Sequence, residues 1–81
     1  MWYVYFLELR NGDVYVGSTN DLRRRFKSQN AGQVNSTRNY LPASLKSYVA
    51  VSEEANARRL ELYFKSGSEK AFAKKRLLGR N

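Results

Sequence analysis

The sequence predicts an α+β domain: a small three-stranded, mainly antiparallel sheet flanked by three helices, in the order β-β-α-β-α-α, over residues 1–81. Three observations carry this. Residues 2–9 are almost continuously aromatic or branched, and residues 14–17 repeat that character after Arg10-Asn11-Gly12-Asp13, a hairpin signal. Two later stretches have helical spacing and polar starts, and a third apolar alternation over residues 45–51 lies between them. Two hairpin strands and one returning strand need helices to cover them, which is the simplest two-layer solution.

Asn11 and Gly12 tolerate the positive φ that tight turns demand. The loop length decides what the strands do. A two-residue loop sets Tyr15 opposite Glu8 and puts Tyr5 and Tyr15 on opposite faces, whereas a three-residue loop with a glycine bulge puts them on one face. The sequence leaves both registers open. The first helix is expected after Ser18 or Thr19 as cap, with Asp21 at the positive end of its dipole. Leu22, Phe26 and Gln29 form its inward stripe, Arg25 sits at the edge, Arg23, Arg24 and Lys27 face solvent, and Gly32 stops it.

Residues 33–42 read as a polar loop tethered by Tyr40 and Leu41. In the third strand Leu45, Ser47, Val49 and Val51 should share one face, with Lys46, Tyr48 and Ala50 on the other. Ser52 is the expected cap of the second helix, whose stripe runs Ala57, Leu60, Glu61, Phe64 before Ser66-Gly67 ends it. Ser68-Glu69 begins a short third helix, with Ala71, Phe72 and Leu78 available for packing.

Composition narrows the chemistry. At 81 residues, 42% hydrophobic and 14% aromatic, the chain supports one globular core. It has no cysteine and no histidine, so disulfides, thiolate metal sites and imidazole-dependent triads are excluded. Any metal must be held by oxygen, which favours magnesium or manganese. No apolar run is long enough to span a membrane and no signal-peptide pattern opens the chain, so a cytoplasmic location is the expectation. Fifteen Lys plus Arg against seven Asp plus Glu give a net charge of +8 and attraction to a polyanion, or simply a basic solvated surface.

Glu61 is the anomaly: a carboxylate within an apolar stripe is costly if buried unpaired, about several kcal/mol. A salt bridge to Arg58, Lys65 or a first-helix arginine, a metal ion, or a place at the rim of a cleft would each relieve it. Arg25 lies ten residues past Tyr15, a spacing that lets its guanidinium reach back over the sheet face and grip phosphate oxygens. Tyr3, Tyr5, Tyr15 and Tyr48 read first as sheet-face aromatics. A phenol, with a reference pKa of about 10, becomes a useful base only beside positive neighbours. Gly17 suits a tight turn or a close approach of ligand. The remaining cations, Arg24, Lys27 and Arg38 among them, suit contacts to a sugar–phosphate chain without base reading.

Tyr3-Val4-Tyr5, Tyr15-Val16-Gly17, the segment from Ser18 to Leu22 continuing through Arg24-Arg25, Thr37-Arg38, and Ala57-Arg58-Arg59-Leu60-Glu61 leading to Phe64-Lys65-Ser66-Gly67 together resemble the GIY-YIG nuclease superfamily. The likeness is to its small stand-alone YhbQ-like (UPF0213) type, and it covers roughly residues 2–75. It implies the GIY-YIG endonuclease fold and metal-dependent hydrolysis of DNA phosphodiesters, branched or structured DNA included, with roles in repair or recombination. It also implies catalytic Tyr5, Tyr15, Arg25 and Glu61, with a single Mg²⁺ or Mn²⁺ on Glu61. Beside it, the residues themselves offer Gly17, Arg24, Lys27 and Arg38 for contacts to the substrate backbone and Ser18, Gln29 and Tyr48 as accessory positions that hydrogen-bond near the tyrosines. Gln29 departs from the pattern, because close relatives commonly carry histidine there; glutamine can hydrogen-bond but cannot exchange a proton near neutral pH. Two alternatives stand beside the nuclease: a non-catalytic nucleic-acid-binding module on the same fold, and a nuclease that needs a targeting protein.

Overall fold

The computed structural model describes residues 1–66. Its elements are β1 (Trp2–Glu8), β2 (Val14–Thr19), α1 (Leu22–Asn30), a 3₁₀ turn (Arg38–Tyr40), β3 (Ser44–Val51) and α2 (Glu54–Lys65). The expected third helix lies outside the described residues. The sheet order is β2-β1-β3, with both pairings antiparallel.

The hairpin takes the three-residue loop. Leu9 N–H donates to Asp13 C=O at 2.8 Å and Gly12 N–H donates to Leu9 C=O at 2.9 Å, with Gly12 at φ 90°. Asn11 locks the tip, because its amide oxygen accepts from Asp13 N–H at 3.1 Å. Leu7 therefore faces Tyr15, and Tyr5 faces Gly17. Tyr5 and Tyr15 share a face, with ring centroids 6.3 Å apart.

One face of the sheet presents Val4, Phe6, Val14 and Val16 to α2, which returns Ala57, Leu60 and Phe64. The Phe6 and Phe64 rings meet edge to face at 5.0 Å. The other face presents Tyr5, Leu7 and Leu9 to α1, which returns Leu22 and Phe26.

Three local expectations are corrected. Strand β2 runs on through Thr19, so Asp21 rather than Ser18 or Thr19 caps α1, its carboxylate accepting from Arg24 N–H at 3.1 Å. In β3 the pairing steps from Phe6–Ser47 to Leu7–Leu45, which leaves Lys46 as a bulge. That extra residue moves Leu45 to the α1 face, while Val49 and Val51 stay on the α2 face. Finally, extended Glu53, and not Ser52, occupies the cap position of α2, without a side-chain capping bond.

Candidate active site

Strand β2 is an edge of the sheet, and a cleft of about 350 Å³ wraps around it from one face to the other. Tyr5, Tyr15 and Gly17 enter from the α1 face with Arg25, while Ser18 and Glu61 enter from the α2 face. Strand alternation puts Ser18 on the opposite side from Gly17, so consecutive residues of one strand furnish both walls.

Tyr5 is 1% exposed, and its hydroxyl accepts a hydrogen bond from Arg25 Nε at 3.2 Å. Its ring lies over Gly17, where an added β-carbon would collide with the phenol hydroxyl and the carbon bearing it. Glycine here makes room for a neighbouring ring; no turn requires it. Burial is the main influence on the Tyr5 phenol and raises its pKa, against the opposing hydrogen bond from Arg25. Tyr5 thus keeps its proton. The Tyr5 hydroxyl is also the main influence on the guanidinium, holding its pKa above the ordinary value, with Tyr15 adding to it. Arg25 is accordingly a fixed positive charge oriented by two phenols.

Glu61 is engaged on both oxygens. Ser18 Oγ donates to Oε1 at 2.5 Å, and Lys65 Nζ donates to Oε2 at 2.7 Å. The same ammonium lies 5.8 Å from the centre of the Tyr15 ring. Burial, the largest single influence, opposes ionisation of the carboxyl. The bonds from Lys65 and Ser18, with the charges of Lys65 and Arg58, together outweigh it and lower the pKa. Glu61 is therefore an anion in the cleft at neutral pH. The sequence allowed either a salt bridge or a site at a rim for this residue, and the structure has both.

Among the described residues no group of three or more acidic, histidine or cysteine side chains converges. A single ionised carboxylate fits a hard divalent ion that completes its shell with water and substrate oxygens, as magnesium commonly does. It does not fit an all-protein cage.

Of the other residues singled out in the sequence, Gly17 and Ser18 line the cleft. Gln29 does not: it is fully buried, its amide nitrogen donating to Thr37 Oγ1 at 3.0 Å while its Oε1 has no partner. Tyr48 packs edge to face on Tyr3 at 5.8 Å, beside a different cavity. Arg24 is exposed next to Asp21, Lys27 is exposed on α1, and Arg38 reaches Asn35 at 3.4 Å; none of the three lines the cleft. Trp2, Thr19, Asn20 and Arg58 line it without having been singled out as site residues. Arg58 was within reach of sequence reasoning, standing three residues before Glu61 on the same helix. Nothing in the local pattern marks Trp2.

The described residues contain no helix long and apolar enough to cross a membrane. A family model described as the GIY-YIG catalytic domain matches residues 1–76. A UPF0213 protein of Bacillus licheniformis is 38% identical over 69 residues, spanning 84% of this chain and 71% of that protein. One from Streptococcus agalactiae serotype V is 36% identical over 70 residues, spanning 85% and 80%. The solution NMR structure of a UPF0213 protein from Bacillus halodurans superimposes with a TM-score of 0.56 at 34% identity, covering 89% of this chain and 81% of that one. With the tyrosine words on paired strands and the acidic helix beside them, the chain belongs to the GIY-YIG catalytic-domain family, a family of nucleases.

Proposed function

We propose that the protein is a metal-dependent endonuclease that hydrolyses DNA phosphodiester bonds in the cleft at the β2 edge. The observation that carries this reading is the meeting of Tyr5, Tyr15, Arg25 and the ionised Glu61 around one open hollow. Arg25 pairs with the non-bridging oxygens of the scissile phosphate and stabilises charge that grows on them. Tyr5 is its positioning residue: buried and protonated, it fixes the guanidinium through the 3.2 Å bond and does not serve as a base. Tyr15, half-buried at the cleft wall, is the group placed to take the proton of the attacking water, acting as the phenolate once its own hydroxyl proton has passed to solvent. Glu61 would hold Mg²⁺ or Mn²⁺, and such an ion would supply Lewis-acid stabilisation of the leaving oxygen. Ser18 fixes the carboxylate rotamer by donating to Oε1, while Lys65 donates to Oε2.

The Glu61–Lys65 pair favours a second reading, in which the same cleft binds nucleic acid without cutting it, since its charges are already balanced. Cleavage of linear and branched DNA with Mg²⁺ or Mn²⁺ separates the two. The nuclease reading expects cutting by the native protein and none by Glu61→Gln, with both equally folded by circular dichroism. Equal cutting by the two proteins would remove Glu61 from the reaction, and no cutting by either would leave the binding module.

A further inference from the structure

A second cavity, of about 510 Å³, opens between the start of α1 and the free face of β1 and β3. Asn20 lines both this cavity and the cleft described above, so the two hollows adjoin at the junction of β2 and α1. Its floor is apolar, made by Leu22, Phe26 and Leu45. Its wall is the Tyr3–Tyr48 pair, whose rings stand at 72° to one another. Tyr48 is 53% exposed, and neither phenol hydroxyl has a hydrogen-bond partner among the described residues. Core packing does not account for a large aromatic ring left open on a sheet beside an apolar pit.

The charge at the rim bears on the occupant. Arg23 lines the cavity and carries no ion pair among the described residues. Asp21, also at the rim, is already committed to the Arg24 N–H and side chain, at 3.1 and 3.9 Å. The local balance favours an anion backed by a flat apolar group. A nucleotide is that combination, and every nucleobase offers a π-face whatever its identity.

We infer that this cavity is a stacking subsite for one unpaired nucleobase of a DNA strand whose neighbouring phosphate lies in the cleft at the β2 edge. The inference rests on the nuclease reading for that strand's path and adds a substrate class: DNA with a single-stranded segment beside the scissile bond. A base held in a duplex is stacked on its neighbours and cannot enter, so the pocket discriminates by strandedness and not by sequence.

Binding measured in EDTA, with no divalent ion, tests this independently of cleavage. The probes are a DNA duplex with a short single-stranded overhang carrying 2-aminopurine and a blunt duplex of the same sequence. Native protein is expected to quench the overhang fluorophore. Tyr48→Ala is expected to weaken overhang binding about 5- to 100-fold while changing blunt-duplex affinity less than about twofold. Tyr48→Phe, which keeps the ring, should retain native affinity. Equal loss on both probes, or no loss on either, would overturn the subsite even if the protein cuts DNA. A Tyr48→Ala change in oligomeric state would instead assign the cavity to a second copy of the chain. Failure of the nuclease reading appears separately, in the Glu61→Gln comparison.

Discussion

Under α2 the sheet presents Val4, Phe6, Val14 and Val16, and the helix answers with Ala57, Leu60 and Phe64. Under α1 the alternate positions of the same strands present Tyr5, Tyr15 and Gly17, and the helix answers with Arg25 as well as Leu22 and Phe26. The first face is apolar throughout, and its alternation alone specifies it. The second buries a phenol, ties it to a guanidinium and leaves a glycine beneath it, an arrangement that core packing alone does not require. Both faces hold buried apolar clusters, but the polar groups of the cleft are set into the α1 face, with Glu61 reaching them from the α2 side at the β2 edge.

If that division holds, damage to the two faces should read out differently. Phe6→Ala removes a fully buried ring packed on Phe64 and should cost about 3–5 kcal/mol, enough to unfold much of a domain this small. Urea denaturation followed by circular dichroism measures it. Arg25→Ala is the opposite case: loss of this half-buried side chain deprives the Tyr5 hydroxyl of its partner and should cost about 1 kcal/mol, well below Phe6→Ala, while DNA cleavage falls by about 10²–10³-fold. A large stability loss from Arg25→Ala would mean that the α1 face is held together by its polar contacts, and the division would fail.

Gly17→Ala probes the point where both roles meet. The added methyl group must displace the Tyr5 ring and, with it, the anchor of Arg25. A destabilisation of about 1–3 kcal/mol is expected, together with loss of cleavage as large as that of Arg25→Ala. Combining it with Tyr5→Phe, which keeps the ring, should restore little, and Tyr5→Ala in the same background relieves the clash but opens a cavity in place of a buried ring, so it should restore neither stability nor activity. Thermal melts and single-turnover cleavage of the three variants decide.

These expectations also mark what could be read in the chain. The strands, both described helices and the Ala57–Phe64 stripe were legible because apolar spacing reports burial directly. The Tyr5–Tyr15 pairing was not, since it depends on whether the loop counts two residues or three, and Asn-Gly suits either. The face of Leu45 was hidden for a related reason: a bulge at Lys46 leaves no compositional trace. Asn30 was passed over altogether, although its amide clamps Ala43 by two hydrogen bonds, at 2.7 and 3.2 Å, and so holds the loop after α1 against the helix. Contacts made by one polar side chain across a loop carry no period for a sequence to display. Glu61 was conspicuous because it broke a period, yet only geometry joins it to Ser18 and Lys65 together.

The smallest effect expected lies on that carboxylate, where the two faces meet. Lys65 and Arg58 face it from its own helix, and Ser18, Arg25, Tyr5 and Tyr15 lie around the same cleft. Its folded pKa lies below the ordinary value of 4.5, so ionised Glu61 stabilises the fold fully above about pH 4.5, and the contribution fades as pH falls through the lower folded value. Lys65→Met removes the main group favouring the anion and should cost a small amount of stability at pH 6. The gap between native and Lys65→Met proteins should then close as the pH falls from about 4.5 through the lower folded value, until the carboxyl is protonated in both the folded and unfolded chains. Taking the difference between the two proteins at each pH cancels the other acids, whose titrations they share. A gap that stays constant across this range would mean that Lys65 stabilises the helix end through the α2 dipole or the Tyr15 ring, and that Glu61 contributes to the seam without its charge.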